Sequence, residues 1–226
     1  MGLLQIIHDA LAKGAVEKGW GGDECRKAVP ISTHITESFG WLFVAFWFYS
    51  KVQGRKWYEN LKSTISKELV EYDKANPKGN PLRWLEILIG SLHVLMFLQL
   101  IYFKSTISAL IYLLQPCHQI LLFQGIALLN NGTLGVLISL FVLPALTGTT
   151  LAMLFPETGG LDQFLEMEAY WLQHYLIEIV PIYLLLRKNG LALKLCSMKT
   201  VMAGLWILVL VHFALLEVNH HFLTLF

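Results

Sequence analysis

Charged side chains are scarce in this sequence. Asp, Glu, Lys and Arg make up 15% of its 226 residues, whereas a soluble domain carries about a quarter. The formal net charge of +1 lacks the basic excess of a nucleic-acid-binding protein. The three cysteines, Cys25, Cys117 and Cys196, are too few and too widely spaced for a CxxC metal motif or a disulfide framework. No apolar core precedes Gly14, so we expect no secretory signal peptide.

Hydrophobic residues, by contrast, make up 55% of the chain and fall in long runs. Runs of about 20 apolar residues are typical of membrane-spanning helices. We therefore predict an all-α fold, a polytopic membrane bundle of about six helices that forms one domain over residues 37–226. Residues 1–36 are predicted to be a non-membrane N-terminal segment, and residues 51–83 a hydrophilic loop that ends in a turn at 76–81. The predicted spans are about 38–52, 84–103, 107–129, 134–155, 164–186 and 201–218.

The orientation of this bundle follows from its basic residues. Eight lysines and arginines lie in residues 51–83 and four in 187–199, on one side of a six-span bundle, against five on the other side. Because basic loops are retained in the cytosol, we expect these loops to be cytosolic and both termini lumenal. Asn131-Gly132-Thr133 matches a glycosylation acceptor, yet this orientation places it in a cytosolic turn. A glycan on Asn131 would contradict the orientation.

The third span contains the polar sequence Gln115-Pro116-Cys117-His118-Gln119. Pro116 has no N–H, so we expect the carbonyl of Tyr112 to lose its helical partner. Polar groups and broken backbone are tolerated in a bilayer only where protein or a water-filled cavity satisfies them. The sequence therefore predicts that this helix faces a polar pocket inside the bundle.

Cys117 is the strongest nucleophile available to such a pocket, and it needs a base because only the thiolate attacks. His118 points about 100° away from Cys117 on a regular helix, so we expect the base to come from another helix. Three histidines qualify, and His174 is the best placed because carboxylates precede it. Tyr170 and Glu178 lie one turn from it on the same face. The carboxylates that precede His174 are Glu166 and Glu168. The other two candidate histidines are His93 and His212.

Plainer interpretations of the same residues remain open. Cys117 packs equally well as a small apolar side chain, and His174 as an interface histidine bonded to a carbonyl. Zinc could be bound by Cys117, His174 and a further histidine, but no pair has helical i, i+4 ligand spacing, so we predict no metal. Thr147, Thr149 and Thr150 could line the pocket, although threonine commonly bonds its own helix backbone.

At these residues the chain resembles the transmembrane protein 164 family. The resemblance covers roughly residues 107–186, and the flanking spans agree in number and hydropathy. It rests on two linked motifs in the same order and separation. These are Tyr112-Leu113-Leu114-Gln115-Pro116-Cys117-His118 with Leu154-Phe155-Pro156, and Leu165-Glu166-Met167-Glu168-Ala169-Tyr170-Trp171-Leu172-Gln173-His174 with Val180-Pro181-Ile182-Tyr183-Leu184-Leu185.

The resemblance implies a membrane acyltransferase of the endoplasmic reticulum or Golgi that is linked to lipid peroxidation and ferroptosis. It would move polyunsaturated, arachidonoyl-type chains from a donor phospholipid to ether-linked lysophosphatidylethanolamine. The family's proposed catalytic cysteine and histidine correspond to Cys117 and His174. The fold is similar to that of the six-helix androgen-induced membrane hydrolases, which use threonine as the nucleophile. The family is expected to continue beyond the sixth span, whereas this sequence stops at Phe226.

The expected chemistry is thiol acyl transfer without a cofactor. The partners are a donor phospholipid and an acceptor lysophospholipid, with no nucleic acid. Two alternatives are a lipid or ester hydrolase with the same Cys117–His174 dyad and a non-enzymatic transporter or channel with a polar site at the proline-broken helix. The residues expected to support the pocket are His118, Glu168 and three candidate oxyanion donors, Gln173, Gln124 and Tyr170.

Overall fold

The computed structural model describes residues 54–143, 146–156, 158–159 and 161–207, with isolated positions before residue 51. The described part of the chain is helical and contains no strand. Most of the predicted N-terminal segment, most of the first span and the second half of the sixth span, with His212, lie outside the described residues.

The first helix, α1 (Gly54–Ala75), corrects the prediction of a loop over residues 51–83. Leu61, Ile65 and Leu69 are spaced four residues apart and form one buried face on a helix that is otherwise charged. This face packs against Val136, Leu137 and Leu140. An amphipathic helix of this kind has low average hydropathy, which is why the stretch resembles a loop in the sequence. The predicted turn that follows is confirmed, with the N–H of Gly79 donating to Asn76.

The second helix, α2 (Arg83–Thr106), confirms the second predicted span. Its buried face carries Gly90, His93 and Met96, whereas an opposite stripe of large apolar side chains is exposed. At 24 residues it measures about 36 Å, enough to cross a hydrocarbon core of about 30 Å. In the described part of the chain, α2 is the helix long and apolar enough to cross a membrane. The exposed stripe consists of Trp84, Leu88, Leu92, Leu95, Leu98 and Tyr102.

The third predicted span is divided in the structure. A 3₁₀ segment (Leu110–Leu114) precedes α3 (Pro116–Leu129), and Pro116 is the first helical residue rather than a kink within a helix. The first turn of a helix tolerates proline because its N–H has no intrahelical partner there. The prediction of a proline in mid-helix is therefore wrong, and the 14 residues of α3 extend about 21 Å.

The remaining helices are α4 (Thr133–Val142), α5 (Leu146–Leu154), α6 (Glu166–Leu195) and α7 (Met198–Ile207). The fourth predicted span is thus represented by two short helices. The fifth agrees with α6, whose backbone is helical up to a break at residues 187–190. This break lies in the predicted loop 187–199, which is otherwise largely helical. The all-helical class is confirmed, whereas the six-span bundle stays a prediction.

Three connecting segments meet at one end of these helices, which we call the basic end. Ser66 of α1 is hydrogen-bonded to Thr133 at 3.2 Å. Arg83 donates to the carbonyl of Leu128 at 2.7 Å, and Lys188 donates to the carbonyl of Asn131. Residues 51–83, 130–133 and 187–199 therefore lie close together at this end. Which side of a membrane this end faces remains a prediction.

Candidate active site

Cys117 lies at the opposite end, in the first turn of α3, and is half-buried. Its thiol is near the backbone N–H of His118 and close enough to Lys104 for electrostatic interaction. A helix N-terminus and a nearby cation both favour a thiolate. The side chain also packs against the apolar cluster of Leu121, Ile177 and their neighbours, and such burial disfavours charge. A base that removes the thiol proton is therefore needed if Cys117 is to react.

The break before α3 is held by the two polar residues that follow Cys117. The carbonyl of Tyr112 accepts hydrogen bonds from the N–H of Gln115 at 3.0 Å and from Nδ1 of His118 at 2.7 Å. The side-chain amide of Gln119 donates to the carbonyl of Leu113 at 2.6 Å. The predicted loss of a partner for Tyr112 is thus compensated. His118 therefore holds the segment that precedes Cys117, and its support of a pocket stays a prediction.

His174 lies in α6 with 2% of its surface exposed. Its Nδ1 donates to the carbonyl of Tyr170 at 2.7 Å. This bond fixes the tautomer, because a carbonyl can only accept, and leaves Nε2 with the lone pair that a base requires. The bond matches the plain interpretation of an interface histidine and equally suits a catalytic base. Glu178 is the carboxylate close enough for electrostatic interaction with the ring.

Helices α3 and α6 pack against each other and run in the same direction, since both begin near Lys104. Gln124 of α3 contacts Ile177 of α6, 53 residues later. The same offset of 53 residues places Cys117 level with Tyr170, which lies one helical turn before His174. The structure thus brings the two predicted catalytic residues onto packed helices. It joins them by no hydrogen bond in the part of the chain that it describes.

The predicted supporting residues have different outcomes. Glu168 is exposed, and Nδ1 of His174 is bonded to a backbone carbonyl, so the prediction that upstream carboxylates orient the ring is wrong. Six residues separate Glu168 from His174, which places them on different faces of α6. The hydroxyl of Tyr170 donates to the carbonyl of Ala152 at 3.1 Å, and its ring stacks on His174 with centroids 4.2 Å apart.

The three candidate oxyanion donors are therefore not equivalent. Tyr170 already uses its O–H, and Gln124 donates to the carbonyl of Ile177 at 3.0 Å. Gln173 is 2% exposed, and its Nε2 has no hydrogen-bond partner among the described residues. Gln173 is thus the candidate with an unused donor.

Of the other polar residues considered in the sequence analysis, the described residues His93 and Thr149 have no hydrogen bond to Cys117 or His174. His93 lies near the middle of α2, and its Nδ1 donates to the carbonyl of Ile89 at 2.8 Å. Thr149 is buried on α5. The hydroxyl of Thr150 lies within hydrogen-bonding distance of the carbonyl of Leu146 and of the carboxylate of Glu178, which is the residue close to the His174 ring. The side chain of Thr147 lies outside the described residues. No group of three His, Cys, Asp or Glu side chains that could hold a metal is found within the described ranges.

A second polar cluster, at the basic end, is one that the sequence did not predict. Glu86, 1% exposed, accepts hydrogen bonds from Asn80 at 3.1 Å, Tyr183 at 2.9 Å and Arg83 at 2.8 Å. Arg187 lies 3.8 Å from the same carboxylate. The sequence did contain a signal for this cluster, because Glu86 and Arg187 lie at the ends of apolar runs, where charged residues usually face protein. Since α2 rises about 27 Å between Glu86 and Lys104, this cluster is remote from Cys117.

Comparison with known proteins agrees with the resemblance that the two motifs carry. No solved structure matches the chain. The model of the TMEM164 family matches residues 31–224, which include both motifs, the second polar cluster and all of the described helices. The chain therefore belongs to the TMEM164 family.

Proposed function

We propose that this protein is a membrane thiol acyltransferase with Cys117 as the nucleophile and His174 as the base. The observation that carries the proposal is the pairing of α3 and α6. This pairing puts the Cys117 thiol, at the N-terminus of α3, level with Tyr170, one turn before His174. The Nδ1 of His174 is bonded to a carbonyl, so its Nε2 is left as the proton acceptor. The family and the apolar helix α2 support a membrane location. The endoplasmic reticulum or Golgi, with the basic end cytosolic, is the compartment that we propose.

The proposed reaction has two halves. Nε2 of His174 takes the proton of the Cys117 thiol, and the thiolate attacks the ester carbonyl of a donor phospholipid. The tetrahedral intermediate releases the lysophospholipid, whose oxygen receives that proton from His174, and an acyl thioester remains on Cys117. His174 then removes the proton of an acceptor hydroxyl, which attacks the thioester. The new ester forms, and the Cys117 sulfur is reprotonated by His174.

The surroundings of the dyad suit this chemistry. Cys117 packs among Met96, Leu121 and Ile177, which form an apolar wall against water. Exclusion of water favours a lysolipid acceptor over hydrolysis. The unused amide donor of Gln173, next to His174, is the group that we propose for the developing oxyanion. Such a reaction uses no cofactor, because the donor ester carries the activated acyl group.

The resemblance supplies the finer part of the proposal. We propose a polyunsaturated, arachidonoyl-type chain as the acyl group and ether-linked lysophosphatidylethanolamine as the acceptor. A protein with this activity would set the content of peroxidation-prone phospholipids, which connects it to ferroptosis. These assignments rest on family membership and on the apolar surroundings of Cys117.

The test uses the purified chain in lipid vesicles with a phospholipid that carries a labelled arachidonoyl chain and an unlabelled ether lysophosphatidylethanolamine. We expect labelled diradyl product, and a hydroxylamine-sensitive label on Cys117 when the acceptor is omitted. Cys117→Ala and His174→Gln should abolish both signals. Cys196→Ala is the matched control, because this half-buried cysteine packs in a different cluster near α1 and α4.

Other products would point elsewhere. Labelled free fatty acid without labelled acceptor product would identify a hydrolase with the same dyad. Equal transfer by Cys117→Ala and the unmodified chain would exclude covalent catalysis at this thiol. Loss of transfer in both cysteine variants would show that the loss is not specific to the α3–α6 site, and Cys117→Ala would then give no support to the proposed nucleophile.

A further inference from the structure

Pro181 leaves a gap in the hydrogen bonding of α6. It lies inside the helix and has no N–H. The carbonyl that would accept that N–H belongs to Ile177, four residues earlier. Ile177 is fully buried, so water does not satisfy this carbonyl. An unpaired buried carbonyl is unfavourable, and native structures rarely leave one unpaired.

The missing donor comes from another helix. Nε2 of Gln124, on α3, donates to the carbonyl of Ile177 at 3.0 Å. Gln124 is fully buried, with 0% of its surface exposed. The bond also fixes which end of the amide is nitrogen, because a carbonyl accepts only from the NH₂ group. A glutamine inside an apolar helix thus replaces the N–H that Pro181 lacks.

The location of this bond relates it to the dyad. Gln124 follows Cys117 by seven residues, and Pro181 follows His174 by seven. Seven residues are about two helical turns, so the members of each pair share a face of their helix. The bond therefore joins α3 and α6 on the faces that carry Cys117 and His174. It lies about 10 Å beyond Cys117 on α3 and, at Ile177, about 5 Å beyond His174 on α6.

The adjacent side of α3, about 100° from Gln124, is fixed by α2. A Cβ built on Gly125 would lie 3.0 Å from Cβ of His93 and 3.3 Å from the carbonyl of Gly90. Small residues allow helix backbones to approach closely in membrane proteins. Because α3 has no room to move toward α2, its position depends on its contacts with α6, which include the Gln124 bond.

We infer that Gln124 is a positioning residue. Its amide replaces the N–H absent at Pro181 and holds Cys117 on α3 one helical turn from the level of His174 on α6. The replacement of the missing N–H by Gln124 follows from the geometry alone. The positioning of Cys117 and His174 as a reactive dyad rests on the proposed function. This role replaces the prediction that Gln124 donates to the oxyanion, since the residue lies two turns from the thiol and its amide is engaged.

The test compares Gln124→Met, Pro181→Ala and the double variant in the full-length chain in detergent. Methionine is similar to glutamine in size and cannot donate, whereas alanine at 181 restores the helical N–H to Ile177. Two properties are measured: the thermal midpoint, and the rate at which an apolar alkylating reagent modifies Cys117, followed by mass spectrometry. Cys196 in the same sample is the internal control, and His174→Gln reports whether the alkylation depends on the proposed base.

We expect Gln124→Met to lower the thermal midpoint and to slow alkylation of Cys117 by roughly tenfold to 100-fold, because a displacement of about 1 Å can cost 10²-fold in rate. Pro181→Ala in that background should restore the thermal midpoint, since Ile177 regains a donor. It should not restore the alkylation rate, because no bond then joins the two helices. Alkylation of Cys196 should be unchanged throughout.

Three results would overturn the inference or the function, and they are distinguishable. Additive effects of the two substitutions on the thermal midpoint would show that Gln124 does not replace the Pro181 N–H. Recovery of both properties in the double variant would show that Gln124 only satisfies a carbonyl. If His174→Gln leaves alkylation unchanged, the proposed dyad is wrong, and the positioning role fails with it while the hydrogen-bonding role stands.

Discussion

Replacing Glu86 with glutamine should strongly destabilise the fold, although the change only converts a carboxylate oxygen to an amide nitrogen. The carboxylate is 1% exposed and is hydrogen-bonded to Asn80, Tyr183 and Arg83, with Arg187 at 3.8 Å. Glutamine keeps the volume and removes the charge. Breaking a buried ion pair by changing one partner costs about 3–5 kcal/mol, because the remaining charge stays buried.

Distance and burial disagree about which arginine matters. Arg83 is nearer to Glu86, at 2.8 Å, but its side chain is 30% exposed. Arg187 is further away and only 2% exposed, and its Nε has no hydrogen-bond partner among the described residues. Solvent weakens an ion pair with an exposed partner to about 1 kcal/mol or less. We therefore expect most of the loss to come from Arg187.

A double-mutant cycle tests this assignment, with the free energy of unfolding measured by SDS titration in mixed micelles. Glu86→Gln alone should lose about 3–5 kcal/mol, and should lose much less in an Arg187→Met background than in an Arg83→Met background. Glu59→Gln on α1 is the matched control, since Glu59 is exposed. A loss of under about 1 kcal/mol for Glu86→Gln, or stronger coupling to Arg83, would show that Arg187 is not the dominant partner.

Three further predictions concern the helices around the two polar clusters. Gly135→Ala should abolish folded expression, because its Cβ would lie 2.0 Å from a backbone carbonyl. The control Gly148→Ala should express normally, because its Cβ would meet nothing within 4 Å. Equal yields of the two variants would contradict this prediction. His118→Ala should lower stability by about 1 kcal/mol through loss of its bond to Tyr112, and thermal melts unchanged from wild type would count against that role. Asn131, at the basic end, should carry no glycan, and an endoglycosidase-sensitive band would reverse the proposed orientation.

The elements that the sequence predicts well are those whose signal is local. The runs at 84–103 and 164–186 became α2 and the first part of α6, because apolar length alone specifies such helices. Helix α1 was missed because three buried residues among many charges barely raise the average hydropathy. The role of Pro116 was misassigned, since proline at a helix start and proline within a helix have the same local sequence.

The candidate site shows the same division. Cys117 and His174 were paired from their residue types and from the resemblance, and the structure placed them on packed helices. The contact between Gln124 and Ile177 was not predictable, because 53 residues separate the two positions. The cluster around Glu86 likewise joins α2 to α6, and its members had no common local pattern. Contacts between helices depend on packing, which hydropathy does not report.

The decisive experiment for the thioester mechanism is phospholipid profiling of cells that lack the endogenous protein and are complemented with this chain or with Cys117→Ala at matched expression. We predict that the unmodified chain restores polyunsaturated ether phosphatidylethanolamines and that Cys117→Ala leaves them depleted. Equal restoration by both would show that Cys117 forms no acyl thioester. It would favour a transporter or channel, in which the thiol has no chemical role.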